Sequence, residues 1–146
     1  MKMRILPLIF IIIFSLAQPI FAAQPQFEDT KILGADGQPL KDITVKSGDS
    51  IKLQARLYWY WHTVFDLNKL EWIPQICQYL DFSVYKLNAD GTNRNLVWSD
   101  KVMTNFVTYN ANPYEFKLTE KGTYKLVVKY NGKLSPCEAS SKIHVV

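Results

Sequence analysis

The chain is poor in the residues that do chemistry. Its 146 residues include two histidines and two cysteines. It has no CxxC spacing, Walker-type loop, dinucleotide fingerprint or metalloprotease helix motif. Hydrolysis by a nucleophile needs a base and an orienting group beside it, and only His62 and His144 offer an imidazole. Neither lies in a nucleophile motif, so the sequence reads as a chain that is not an enzyme, with no catalytic residue and no cofactor. Two thiols and two imidazoles are a thin ligand set, so no metal site is expected either. No pair of acids stands out as a glycosidase couple; Asp49, Asp90 and Glu120 fall at turns, where short polar side chains hold local backbone. There is no internal repeat, low-complexity tract or internal linker.

The first stretch sets the expected compartment. Residues 1–22 place Lys2 and Arg4 ahead of an Ile/Leu/Phe-rich run, followed by Gln18-Pro19 and small residues. This is the pattern of a secretory signal peptide. The apolar core, residues 5–17, is shorter than the ~20 residues a spanning helix needs. Cleavage is expected after Ala22, with Ala23 as the alternative, giving a secreted or periplasmic protein with no membrane anchor. Residues 23–29 then form a flexible leader to one domain, residues 30–146.

Lys2 and Arg4 leave with the leader and no acid does, so the net charge falls from +4 to +2. The remaining basic residues are scattered singly, which argues against a nucleic-acid partner. Cys77 and Cys137 both survive cleavage, and a secreted chain meets oxidant, so one disulfide between them is expected. In the chain-entropy view such a bridge stabilises by about 4 kcal/mol.

Along the chain, residues 51–62 carry the clearest pattern. Ile51, Leu53, Ala55, Leu57, Trp59 and Trp61 alternate with Lys52, Gln54, Arg56, Tyr58, Tyr60 and His62. Period two predicts one long strand with a dry and a wet face. Shorter strands are predicted at 30–33, 43–46, 76–87, 96–98, 101–109, 114–118, from Tyr124 onward, and at 143–146. Asp90-Gly91 and Asn131-Gly132 are hairpin signals between them. Residues 63–75 lose the period and read as a loop with one helical turn, ended by Pro74. The whole predicts an all-β sandwich or barrel.

Two stretches resemble bacterial immunoglobulin-like domains. Residues 43–53, ITVKSGDSIKL, are similar to the entry into their second strand, and Glu120, Gly122 and Tyr124 in EKGTYKL resemble the corner that opens their sixth. The resemblance implies an immunoglobulin-like antiparallel β-sandwich of about seven to nine strands, with the Tyr124 hydroxyl tied to preceding backbone. It leaves Trp72, Trp59 or Trp61 as the buried tryptophan. Cys77 and Cys137 depart from the antibody pattern, because they do not fall on the second and sixth strands. Function does not follow from such a fold.

Aromatic content marks the candidate surface, since all four Trp and all eight Tyr lie after the leader. Tyr58, Tyr60 and His62, with Arg56, share the wet face, and tyrosine gives large contact area at low entropy cost. The competing reading is that a neighbouring strand or residues 63–75 cover these rings; a slip in register would expose Trp59 and Trp61 instead. The functional expectation is a non-enzymatic binding or structural module that engages a protein partner. Alternatives are a small carbohydrate-binding protein using the same rings, or an enzyme inhibitor inserting residues 63–75.

Overall fold

Alternation of apolar and polar residues becomes ten strands and, among the described residues, no helix. The computed structural model describes residues 29–62, 68–92, 95–132 and 135–146; the expected signal peptide and residues 23–28 of the expected leader lie outside them. The strands are β1 (Thr30–Leu33), β2 (Ile43–Val45), β3 (Ser50–Ile51), β4 (Arg56–His62), β5 (Leu70–Pro74), β6 (Tyr79–Lys86), β7 (Asn95–Met103), β8 (Phe116–Lys117), β9 (Gly122–Tyr130) and β10 (Cys137–Val145). They form a three-stranded sheet ordered β1-β4-β5, a five-stranded sheet ordered β2-β10-β9-β6-β7, and a β3-β8 pair. Every pairing is antiparallel except β2 with β10. This all-β arrangement is compatible with a β-sandwich.

The core draws on all three sheets: Ile32, Leu57, Leu80, Phe82, Val84, Val128 and Ile143 are buried together with Ile51 and Phe116. On β6 the buried residues Leu80, Phe82 and Val84 alternate with Tyr79, Asp81, Ser83 and Tyr85, so the five-stranded sheet has one face in the core and one outward. Trp98 of β7 stacks on Phe116 at 3.9 Å between ring centroids and closes the core beside β8. The Tyr124 hydroxyl donates to the Glu120 carbonyl at 2.6 Å, and the Glu120 carboxylate pairs with Lys86 Nζ at 2.6 Å.

Several sequence expectations are corrected. Residues 51–62 are not one strand: β3 pairs with β8, Ala55 makes an isolated bridge to Ala111, and only β4 joins β1 and β5. The apolar period survives the change of partner, because Ile51, Leu53, Ala55 and Leu57 all remain buried. Residues 63–75 do not form a loop throughout, since β5 pairs with β4 from His62↔Leu70 to Tyr58↔Pro74. Pro74 is accommodated because β5 is a sheet-edge strand, where a missing amide donor costs no ladder bond. The strands expected at 96–98 and 101–109 are one strand, β7, which stops at Met103. Asn131-Gly132 does not make a two-residue hairpin, as β9 and β10 are joined by residues 131–136.

The expected Cys77–Cys137 bridge is not formed; both thiols are free. Cys77 is exposed in a left-handed backbone conformation, φ 57°, with its amide donating to the Thr104 carbonyl at 2.9 Å. Cys137 opens β10 opposite Tyr130 and packs half-buried against the core. Each is thus committed to its own local structure.

Two substitutions separate packing from the corner hydrogen bond. Phe82→Ala should cost about 3–5 kcal/mol, as a ring removed from a fully packed site leaves a cavity. Tyr124→Phe should cost about 1 kcal/mol, because the ring stays and only the bond to the Glu120 carbonyl goes. Urea unfolding midpoints at unchanged slope check both.

Candidate functional site

The outer face of the three-stranded sheet is built by register. Tyr58 lies between Lys31 of β1 and Pro74 of β5, Tyr60 lies opposite Trp72, and His62 opposite Leu70. Because alternate residues share a face, Arg56, Tyr58, Tyr60 and His62 stand on the side of Lys31 and Trp72. Trp59 packs against the core from the opposite side, so the predicted dry and wet faces are those of the structure.

The four expected residues do not form one site. Tyr58 is buried, its hydroxyl 3.5 Å from Arg56 Nη1 and beneath the Gly37 turn of the β1–β2 connection. A Cβ at Gly37 would stand 3.7 Å from that hydroxyl, and φ +78° there favours glycine. Arg56 is held by a 2.7 Å bond from its Nε to Asn110 Oδ1. Both therefore serve the packing of the 34–38 turn and the 110 segment. His62, at the far end of β4, is half-buried, with its ring 5.2 Å from that of Trp61 and its Nδ1 without a hydrogen-bond partner among the described residues.

Tyr60 is the member that finds a working neighbour. Its ring centroid is 5.1 Å from that of Trp72, tilted by 44°, and Lys31 Nζ sits 3.9 Å from the Trp72 centroid. A cation this close to an indole face is attracted by the ring quadrupole, by roughly 0.5–1 kcal/mol at an exposed site. All three side chains are half-buried, leaving a polar-edged aromatic cluster next to β5, the last strand of its sheet among the described residues. Trp72, read from sequence as one choice for the buried tryptophan, is on the outer face instead. Lys31 was not expected. The signal for Trp72 is the alternation Leu70, Trp72, Pro74 against Glu71 and Ile73, too short to stand out beside a proline.

A concavity of about 420 Å³ opens where the β1–β2 connection passes residues 52–54, with Leu40, Ile43, Leu53 and Leu126 among its lining. At its rim Asp36 pairs with Lys41 at 3.1 Å. The Gln38 amide, and then Lys41, hold the Asp36 carboxyl below the usual carboxylate range. Among the described residues no group of three or more His, Cys, Asp or Glu side chains gathers as a metal site would require.

No family model matches the chain, and no curated protein matches it. Two solved structures are similar in part. One is the superoxide reductase (neelaredoxin) from Ignicoccus hospitalis, at 13% identity and TM-score 0.42, with 82% of each chain covered. The other is a family 123 glycoside hydrolase from Clostridium perfringens, at 8% identity and TM-score 0.43. That match covers 80% of this chain and 27% of the hydrolase. The expectation that the chain is not an enzyme is withdrawn on the first finding, since a chain matched over 82% of both lengths is an enzyme. Likeness at this level transfers no activity or residue role to this chain.

The thiols give a direct check on the site's surroundings. Burial pushes the Cys137 thiol up, the Thr30 hydroxyl opposes that shift, and the Asp29 carboxylate adds to it. A raised folded-state value means that Cys137 contributes stability below the ordinary thiol range and loses it as pH rises toward the folded value. Iodoacetamide should modify exposed Cys77 first and Cys137 only at higher pH or on unfolding, with two free thiols by mass spectrometry of the unreduced protein. One disulfide in that measurement would contradict the structure.

Proposed function

We propose that the protein is a secreted or periplasmic binding module of immunoglobulin-like β-sandwich type, which engages a protein partner through the outer face of β4 and β5. The observation that carries this reading is the Tyr60–Trp72 pair with Lys31 over the indole, beside the outer edge of β5. A pair of aromatic side chains with a cation over one of them gives area, rigidity and a polar handle at one place, which is how protein interfaces concentrate binding energy. Among the described residues no strand pairs with the outer edge of β5, and such an edge offers backbone groups to a partner strand.

The immunoglobulin-like reading is supported by strand order. The strand that follows the tyrosine corner, β9, lies between the last strand, β10, and β6. In immunoglobulin-like sandwiches the sixth strand lies between the seventh and third in the same way. A sugar-binding role has less support, because the two rings are tilted by 44° and Lys31 stands over the indole. Pyranose stacking is better served by an open, flat ring face. The inhibitor alternative has lost part of its loop, since Leu70–Pro74 is a strand.

The test is site-specific photo-crosslinking in the producing cell. A benzoylphenylalanine at Tyr60 or Trp72 should yield a discrete protein adduct, while the same group at Ser83, on the outer face of the other sheet, should not. Adducts at Ser83 alone would sink the reading, and glycan-array binding lost on Tyr60→Ala would replace it with the carbohydrate alternative.

A further inference from the structure

Among the described residues three polar ones are buried: Thr30, Thr104 and Ser141. Two of them are bonded within the fold. Thr30 Oγ1 donates to the Ser135 carbonyl, and Thr104 Oγ1 accepts from the Gln78 amide at 3.0 Å. Ser141, 8% exposed, has no hydrogen-bond partner among the described residues. A buried hydroxyl left unpaired costs about 1–3 kcal/mol, so what it faces matters.

It faces the concavity beneath the β1–β2 connection. Ser141 points inward from β10, opposite Leu126 and two residues before Ile143, and all three form part of the concavity's wall. Leu40, Ile43 and Leu53 complete an apolar lining around that one hydroxyl. Residues 34–42 and 52–54 lie outside the strands, which leaves the two sheets parted here. The opening of about 420 Å³ falls in the range of sites that enclose a small ligand, apolar with a few placed polar groups.

The rim is held in shape before anything binds. The Gly34 amide donates to the Gln38 carbonyl at 2.8 Å, the Gly37 amide to the Gly34 carbonyl at 3.0 Å, and the Gln38 amide to Asp36 Oδ1 at 3.0 Å. A preformed rim spares a ligand the entropy of ordering it.

Three charged residues line the opening: Asp36, Lys41 and Lys52. Asp36 is paired with Lys41 at 3.1 Å, whereas Lys52 has no ion-pair partner among the described residues. Two further acids are near in sequence or register, and neither belongs to the wall. Asp42 accepts from the Lys142 amide at 2.8 Å. Glu115, which the β3–β8 register would set opposite Lys52, accepts from the Ser50 hydroxyl at 2.8 Å, with Lys117 two residues on. The wall therefore carries one uncompensated positive charge at its exposed side and one unpaired hydroxyl at its buried side.

We propose that this concavity binds an aliphatic carboxylate that carries a hydroxyl or carbonyl oxygen far from its carboxyl group. The carboxylate meets Lys52, the chain lies against the leucine and isoleucine side chains, and the distal oxygen pairs with the Ser141 hydroxyl. Lys31, Tyr60 and Trp72 take no part in the wall, so this site and the partner surface can fail separately.

The test is calorimetry and amide NMR with ω-hydroxyoctanoate, octanoate and octanediol, on residues 23–146, which contain every described residue and the whole core. ω-Hydroxyoctanoate should bind best and shift the amides of Leu53, Leu126 and Ser141. Octanoate should bind about fivefold more weakly for want of one hydrogen bond, and Ser141→Ala should bring the two to equal affinity. Lys52→Gln should weaken both carboxylates about threefold and leave octanediol unchanged. Ser141→Ala should leave the urea midpoint unchanged or higher, because no bond within the protein is lost. A lower midpoint would mean that the hydroxyl is bonded inside the fold, and would overturn the proposal. So would the absence of shifts with all three probes, the result expected if Ser141 serves only water. Retained preference for the hydroxylated probe in Ser141→Ala, or unchanged carboxylate affinity in Lys52→Gln, overturns it equally.

Discussion

The structure depends on one segment that serves two sheets. Between Ile51 and Leu57 the backbone leaves β8 and joins β1 and β5, and its inward side chains never leave the core. The crossing point is Ala55, fully buried and paired by two backbone hydrogen bonds with the equally buried Ala111. Both side chains are fully buried, and enlarging a side chain in a dense interior costs about 1–3 kcal/mol. Buried backbone groups must be paired, and this bridge pairs them where the ladders on either side have ended.

That constraint also sorts the aromatic residues. With Leu57 and Trp59 committed inward, Tyr58 and Tyr60 must stand outward, and their fates then depend on what lies beside them. Tyr58 is roofed by the 34–38 turn and becomes interior, while Tyr60 stands half-buried against Trp72 across the strand pair. The outward faces of the two sheets thus differ in kind. One offers an aromatic pair with a cation at a sheet edge, and the other a polar field.

Alternation along residues 51–62, 79–86 and 124–130 was legible in the sequence, because burial on one face of a sheet writes period two directly into composition. The corner at Glu120, Gly122 and Tyr124 was legible for a similar reason, as its bond is local. Partner changes were not: Ile51 and Leu57 look alike in sequence, since alternation says which way a side chain points and nothing about which strand lies alongside. β10 was read four residues long because its inward positions Cys137, Ala139 and Ser141 are small, and the pattern is faint. The disulfide expectation rested on compartment alone. Neither the left-handed backbone at Cys77 nor the half-burial of Cys137 has a signature in one sequence. Trp72 and Lys31 became a site only through the registers Tyr60↔Trp72 and Lys31↔Tyr58, which are long-range facts.

Native-state hydrogen exchange, read by NMR at the Ala55 and Ala111 amides, tests most directly that the two sheets are joined at this crossing. The account predicts that both amides exchange only through global unfolding, with protection equal to that of Phe82 and Val128 in the centre of the five-stranded sheet. Exchange at Ala55 and Ala111 as fast as at the Asn131 and Gly132 connection would contradict it, and would mean that the three-stranded sheet and its aromatic face open independently of the core.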